Sequence, residues 1–293
     1  MMALVSRNPR SVYWVAAFVA ALAAFQTSCM PASWGAAALL HPSRRALKVS
    51  LPPGAENVSI DGDGVQLSGW FFGGSPPRRG TVIYLHGSAD NRASGLSIAQ
   101  RYLARGFDTL IYDSRAHGES GGDACTYGFY EKRDLERAID TVPNKPVVLI
   151  GVSLGGAVAL QAAAEDRRIG AVIAVATFCD LRTVATERAP FFATKREIAA
   201  AFKLAEAQAH FTVDAVNPVA AAPRIQAPVF LIHGQDDKDT PPWHSERVFQ
   251  ALRAPKRLLL VPGAGHNDAL RPEIVSEIDA WIDKAIPLVA AVR

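Results

Sequence analysis

An α/β fold, a mostly parallel central sheet with helices on both faces, is predicted by two features of this sequence. From residue 81 onward, short β-branched apolar runs alternate with segments of helical pattern. The runs are apolar throughout rather than every second residue, as strands buried on both faces are. Ahead of them, residues 58–60 and 65–72 flank the turn Asp61-Gly62-Asp63-Gly64 and read as a β-hairpin, which adds antiparallel strands at one edge.

After the hairpin, a Pro/Gly loop leads to strand 81–85 and helix 94–105, closed by Gly106. Strand 107–112 and the amphipathic helix 130–142, closed by Pro143, come next. Strand 146–150 runs into an Ala-rich helix over 156–164, and strand 171–176 follows. The series ends with strand 229–232, helix 244–252, strand 257–261 and helix 273–286. Residues 177–228 interrupt the alternation and carry one Ala-rich helix, 198–210. Inserted between two sheet strands, they are expected as a small cap over the strand C-termini, where parallel sheets bind ligands.

With 293 residues, 49% hydrophobic and 20% charged, the chain can bury a large core and is too apolar to be disordered. Its net charge is only +3, and no Lys/Arg-rich run is interleaved with aromatics, so a nucleic-acid partner is not expected. The first 30 residues differ in kind. Arg7 and Arg10 precede an apolar stretch over 12–25, and Gln26-Thr27-Ser28-Cys29 follows. This reads as an export signal or an uncleaved membrane anchor. Small residues before Cys29 suit lipoprotein processing with lipid on that cysteine, although Gln26 departs from the usual pattern. An exported or membrane-anchored protein of the bacterial cell envelope is therefore expected. Residues 31–57 would be its tether and 58–293 its folded domain. Cys125 and Cys179 remain as a candidate disulfide pair, with two free thiols as the alternative.

The chemistry starts from Gly151-Val152-Ser153-Leu154-Gly155, set between the strand 146–150 and the helix 156–164. A strand, a Gly-x-Ser-x-Gly turn and a helix make the context of a nucleophile elbow. The glycines remove side chains that would collide with the neighbouring strand and helix, and Ser153 stands at the tip of the turn. The Leu154 N–H, at the helix start, is a donor for a developing oxyanion. A serine hydroxyl needs a base, and a group that orients that base. Of the seven histidines, His86 and His233 precede turn glycines, His117 lies in a loop, His41 in the tether, His210 in the insertion and His244 at a helix start. His266 stands in Pro262-Gly263-Ala264-Gly265-His266-Asn267-Asp268, a glycine-bearing loop after the last strand, and is the candidate general base. For the orienting acid, Asp236, Asp237 and Asp239 compete after the preceding strand. A divalent-metal loop there lacks both ligand periodicity and a nearby His/Cys cluster.

The order serine, aspartate, histidine resembles that of the α/β-hydrolase superfamily, from about residue 58 to the C-terminus. His86-Gly87, the elbow Gly151–Gly155, the segment His233-Gly234-Gln235-Asp236-Asp237-Lys238-Asp239-Thr240-Pro241 and Gly263-Ala264-Gly265-His266 match its four motifs in order. The resemblance implies Asp237 as the orienting acid, with Asp236 second, and the Ser88 N–H as the second oxyanion donor beside Leu154. It also implies an acyl-enzyme mechanism without a cofactor or metal, acting on a small-molecule carboxylic ester or thioester. Amide or peptide hydrolysis, and a non-catalytic binding protein on the same fold, are the alternatives. The loop Asp113-Ser114-Arg115-Ala116-His117-Gly118-Glu119-Ser120 resembles a stretch of bacterial esterase-like members that carry an N-terminal membrane segment.

Overall fold

A computed structural model describes residues 31–74 and 77–287, so the leader and Cys29 lie outside the described residues. Eight strands form one sheet in the order β1-β2-β4-β3-β5-β6-β7-β8. They are β1 (Glu56–Asp61), β2 (Gln66–Phe72), β3 (Thr81–Leu85), β4 (Asp108–Tyr112), β5 (Val147–Val152), β6 (Ile169–Val175), β7 (Val229–Gly234) and β8 (Lys256–Val261). β2 pairs antiparallel with both β1 and β4, and every pairing from β4 through β8 is parallel.

The central strands are apolar on both faces because both faces are covered. Val147 and Leu149 of β5 join one core cluster, and Val148 and Ile150 join the other. The first cluster takes the buried stripes of α3 (Glu131–Thr141), α4 (Leu154–Ala163) and α8 (Trp243–Ala251). The second takes those of α2 (Leu96–Ala104) and α9 (Pro272–Ala285). Strand order reverses between β3 and β5, so the chain leaves these neighbouring strands in opposite directions and opens a crevice at their carboxyl ends.

Residues 31–57 form more than a tether. Ala32–Leu40 is a helix, α1, whose Ala36 and Leu40 are buried in a third cluster with Phe178, Leu181 and Phe202. Its C-terminus is pinned to the loop between β4 and α3: Cys125 N–H donates to Leu40 O at 2.8 Å, Tyr127 Oη–H to Leu39 O at 3.0 Å, and His41 Nδ1–H to Asp123 O at 2.7 Å. Residues 177–228 carry two helices of this layer, α5 (Leu181–Glu187) and α6 (Lys195–Ala209). α6 starts with a capping box: Thr194 Oγ1 accepts from Glu197 N–H, and the Glu197 carboxylate accepts from Thr194 N–H. The rest of the segment turns inward. The short helix α7 (Pro218–Ala221) leads to Ala222 and Ile225, which lie in the first core cluster.

Cys125 and Cys179 do not pair; both are free, buried thiols. The Cys179 thiol donates to Asp180 Oδ2 at 3.2 Å, and burial, then Asp180, push it up to about 12. No described helix is long and apolar enough to cross a membrane.

Candidate active site

The turn after β5 holds Ser153 at φ +51° and ψ −110°, a backbone conformation that costs an L-residue about 1–3 kcal/mol. Its N–H donates to Val175 O of β6 at 2.8 Å, which anchors the tip to the sheet. Two glycines make the turn sterically feasible. A Cβ on Gly151 would sit 2.3 Å from Gly155 O, and a Cβ on Gly155 would sit 2.1 Å from Leu85 O of β3. Leu154 opens α4, so its N–H has no carbonyl of the helix to bond.

His266 reaches Ser153 from the loop after β8: the Ser153 hydroxyl donates to His266 Nε2 at 3.1 Å. On the other side, His266 Nδ1–H donates to Asp237 Oδ2 at 2.7 Å. The three residues expected from separate segments of the sequence thus form one hydrogen-bonded chain. Asp237 is the inward-facing member of its acidic loop, whereas Asp236 and Asp239 are exposed. Its second oxygen accepts from the N–H groups of Asp239 at 2.9 Å and Thr240 at 2.8 Å. Burial alone would raise the Asp237 carboxyl, but hydrogen bonds from His233, His266 and Thr240 outweigh it and hold the group well below the usual carboxylate range.

Sequence reading gave His233 no more than a turn contact. In the structure its Nε2–H lies 2.7 Å from Thr240 O and 3.1 Å from Asp237 Oδ2, with Nδ1 2.6 Å from Ser245 Oγ. A carbonyl only accepts, so Nε2 carries the proton and Nδ1 accepts from Ser245. Gly234 has its own role. A Cβ there would sit 2.3 Å from Gly265 O and 2.4 Å from Ala264 O, because the histidine loop crosses directly over it. The His-Gly dipeptide that ends β7 was the sequence trace of both functions.

His86-Gly87-Ser88 passes on the other side of Ser153; even a Cβ added to Gly87 would only just touch the Ser153 Cβ, at 3.7 Å. The fully buried His86 donates Nδ1–H to Gly87 O at 2.7 Å and accepts Ser114 N–H on Nε2 at 3.0 Å. Burial, then neighbouring His117, lower its pKa and keep it neutral. Asp113, also fully buried, fixes the next stretch by accepting from Arg92 N–H at 2.6 Å, Arg92 Nη1 at 2.5 Å and Glu119 N–H at 2.9 Å. Arg115 grips Asp134 through two 2.7 Å bonds. The Asp113–Ser120 stretch is therefore scaffolding for the loop that carries Ser88.

Ser153, His266, Gly87 and Ser88 line a cavity of about 1120 Å³. Arg45, Asp90, Glu187, Arg188 and Lys238 give it charges of both signs. Among the described residues, no group of three or more His, Cys, Asp or Glu side chains is arranged to hold a metal ion.

Comparison with known proteins agrees with this fold. The profile of the alpha/beta hydrolase family matches residues 82–278. The uncharacterized protein YfhR of Escherichia coli K12 is 31% identical over 232 residues, covering 74% of this chain and 75% of that protein. The 2,6-dihydropseudooxynicotine hydrolase of Paenarthrobacter nicotinovorans is 26% identical over 242 residues, covering 79% and 65%. Among solved structures, the Pyrococcus furiosus esterase Pf2001 superimposes with a TM-score of 0.68 at 24% identity, covering 84% of this chain and 99% of that one.

Proposed function

Because the chain belongs to the alpha/beta hydrolase family, we propose that it is a serine hydrolase that cleaves small-molecule carboxylic esters or thioesters through an acyl-enzyme on Ser153. The observation that carries the proposal is the chain Ser153 Oγ–His266 Nε2, His266 Nδ1–Asp237 Oδ2, at 3.1 and 2.7 Å, beside a cavity at the strand carboxyl ends.

In the first half-reaction His266 accepts the Ser153 proton as Oγ bonds to the carbonyl carbon. The oxyanion faces the N–H groups of Leu154 and Ser88, while ionised Asp237 balances the imidazolium and holds its tautomer. Collapse expels the alcohol or thiol, which takes the proton back from His266. Water then gives a proton to His266 as it attacks the acyl carbon, and collapse breaks the bond to Ser153 Oγ, which takes that proton back from His266 as the acid leaves. No step requires a cofactor.

A fluorophosphonate probe tests the proposal. Wild type should be labelled and should hydrolyse p-nitrophenyl acetate, and Ser153→Ala should lose both. A folded wild type that takes no label overturns it. The envelope location is a separate proposal, resting on the basic and apolar leader before Cys29. It predicts detergent-phase partitioning that Cys29→Ser abolishes if lipid is the anchor.

A further inference from the structure

A second cavity, of about 800 Å³, lies beyond the catalytic one and shares Ser88 and Arg188 with it. Its size falls in the range that holds a drug-sized ligand. One wall is α1, through Trp34, Ala38 and Leu39; the opposite wall is the cap, through Val184, Ala185 and Phe202. Three of the polar side chains along it have polar atoms engaged elsewhere. Arg188 Nε donates to Asp239 O at 3.0 Å, Tyr127 Oη to Leu39 O at 3.0 Å and His41 Nδ1 to Asp123 O at 2.7 Å. What faces the space is therefore mainly aliphatic and aromatic surface, able to desolvate hydrocarbon but poor at hydrogen bonding. Trp34, part of the lining, is 70% exposed.

The inner end matters most. Ser88 is the residue that, in the proposed mechanism, offers its N–H to the carbonyl oxygen. Hydrocarbon attached to that carbonyl can enter the apolar cavity, while the charged catalytic cavity is left for the leaving group. We infer that this cavity is the acyl-chain site, that it takes linear hydrocarbon chains of medium length, and that helix Ala32–Leu40 is one of its walls rather than a spacer. The inference rests on the ester-hydrolase reading. It assigns to a segment ahead of the sheet a part in substrate selection.

The test uses the full chain and p-nitrophenyl esters from acetate to octanoate, kept below their aggregation concentrations. Each methylene buried should raise kcat/KM about fourfold, so octanoate should exceed butyrate by roughly two orders of magnitude. Ala185→Phe narrows the cap wall, and Ala38→Phe narrows the α1 wall at an exposed position that does not threaten folding. Each should cut the octanoate-over-acetate preference about tenfold or more, the loss of two buried methylenes. A flat chain-length profile in wild type, or a slope that neither variant changes, overturns the acyl site while acetate turnover and probe labelling keep the hydrolase reading. An effect of Ala185→Phe without one of Ala38→Phe overturns the role of α1. No hydrolysis of any ester together with no labelling removes the hydrolase reading, and the inference with it.

Discussion

His233, the fifth residue of β7, donates to the same Asp237 oxygen that accepts from His266, at 3.1 Å against 2.7 Å. The fully buried His233 ring is itself locked by Thr240 O and Ser245 Oγ. Asp237 is thus held from three sides: His233 below, the Asp239 and Thr240 N–H groups at its other oxygen, and His266 in front. A carboxylate held in this way cannot rotate to follow the imidazole. It fixes the ring instead.

His233 should accordingly act as a positioning residue. His233→Phe leaves Asp237 Oδ2 with one donor and Ser245 and Thr240 O unpaired, so it should lower stability by about 1–3 kcal/mol. Misplacement of the imidazole should lower kcat roughly 10- to 100-fold with KM little changed. His233→Gln, which keeps an N–H donor, should recover part of kcat. Steady-state kinetics on the two variants check the split. Equal kcat in wild type and folded His233→Phe would remove the positioning role.

Asp237 and Asp236 are neighbours with opposite environments. Asp237→Asn keeps the shape but no longer compels the Nδ1–H tautomer of His266, so kcat should fall about 10⁴-fold. Exposed Asp236 should tolerate Asn with activity within about twofold, as surface substitutions do. Side-by-side turnover of the two variants decides the assignment, and a large loss confined to Asp236→Asn would reverse it.

The loops of the proposed triad were legible because each is local. Ser153, Asp237 and His266 each follow a strand in a short segment with glycines, and parallel strands bring their carboxyl ends to one side. The choice among three aspartates was not local. The residues left it open, and burial of Asp237 between His233 and His266 supplies the reason for the choice the resemblance implied. The role of His233 depends on Ser245 and Thr240 meeting it across a turn, which no periodicity announces. α1 was missed for a related reason. Its Ala-rich sequence suits a helix, but the surface that stabilises Ala36 and Leu40 comes from Leu181 and Phe202, far along the chain. Likewise Cys179 and Cys125 looked available for pairing by position, whereas each is enclosed on its own.

Acid should reach Asp237 only well below the usual carboxylate range. The Asp237 pKa lies below its unfolded value of about 3.9, so it remains a carboxylate wherever the enzyme turns over. Asp237 should therefore add no titration step of its own to the acid limb of log kcat/KM. For stability the sign is that of a depressed carboxylate. The unfolded chain takes up the proton first as pH falls. The contribution of Asp237 is complete above about pH 5 and is lost as pH drops through 3.9 toward the depressed value. Thermal melts of wild type and Asp237→Asn should differ most near neutrality and converge in acid. A gap that widens below pH 4 would contradict this linkage.

Gly234 should be as sensitive as a catalytic residue although it carries no reacting group. Its dihedral angles do not demand glycine, since it is absent from the residues with positive φ. What demands it is proximity: the carbonyls of Ala264 and Gly265 lie where a Cβ would go. Asp236 N–H also donates to Ala264 O at 2.9 Å, so the acid loop and the histidine loop are bonded at the place where the added methyl must force them apart. In Gly234→Ala the sheet can persist, because β7 keeps its pairing with β6 and β8 through Val229 to Ile232. The strain is instead relieved by displacement of the loop that carries His266. A shift of about 1 Å there should cost on the order of 100-fold in kcat. Far-UV circular dichroism should stay that of wild type. Fluorophosphonate labelling should slow in parallel with kcat, since both need the same Ser153–His266 contact. Unchanged turnover in a folded Gly234→Ala would mean that the two loops can separate without moving His266, and that the close packing over β7 is not what sets its position.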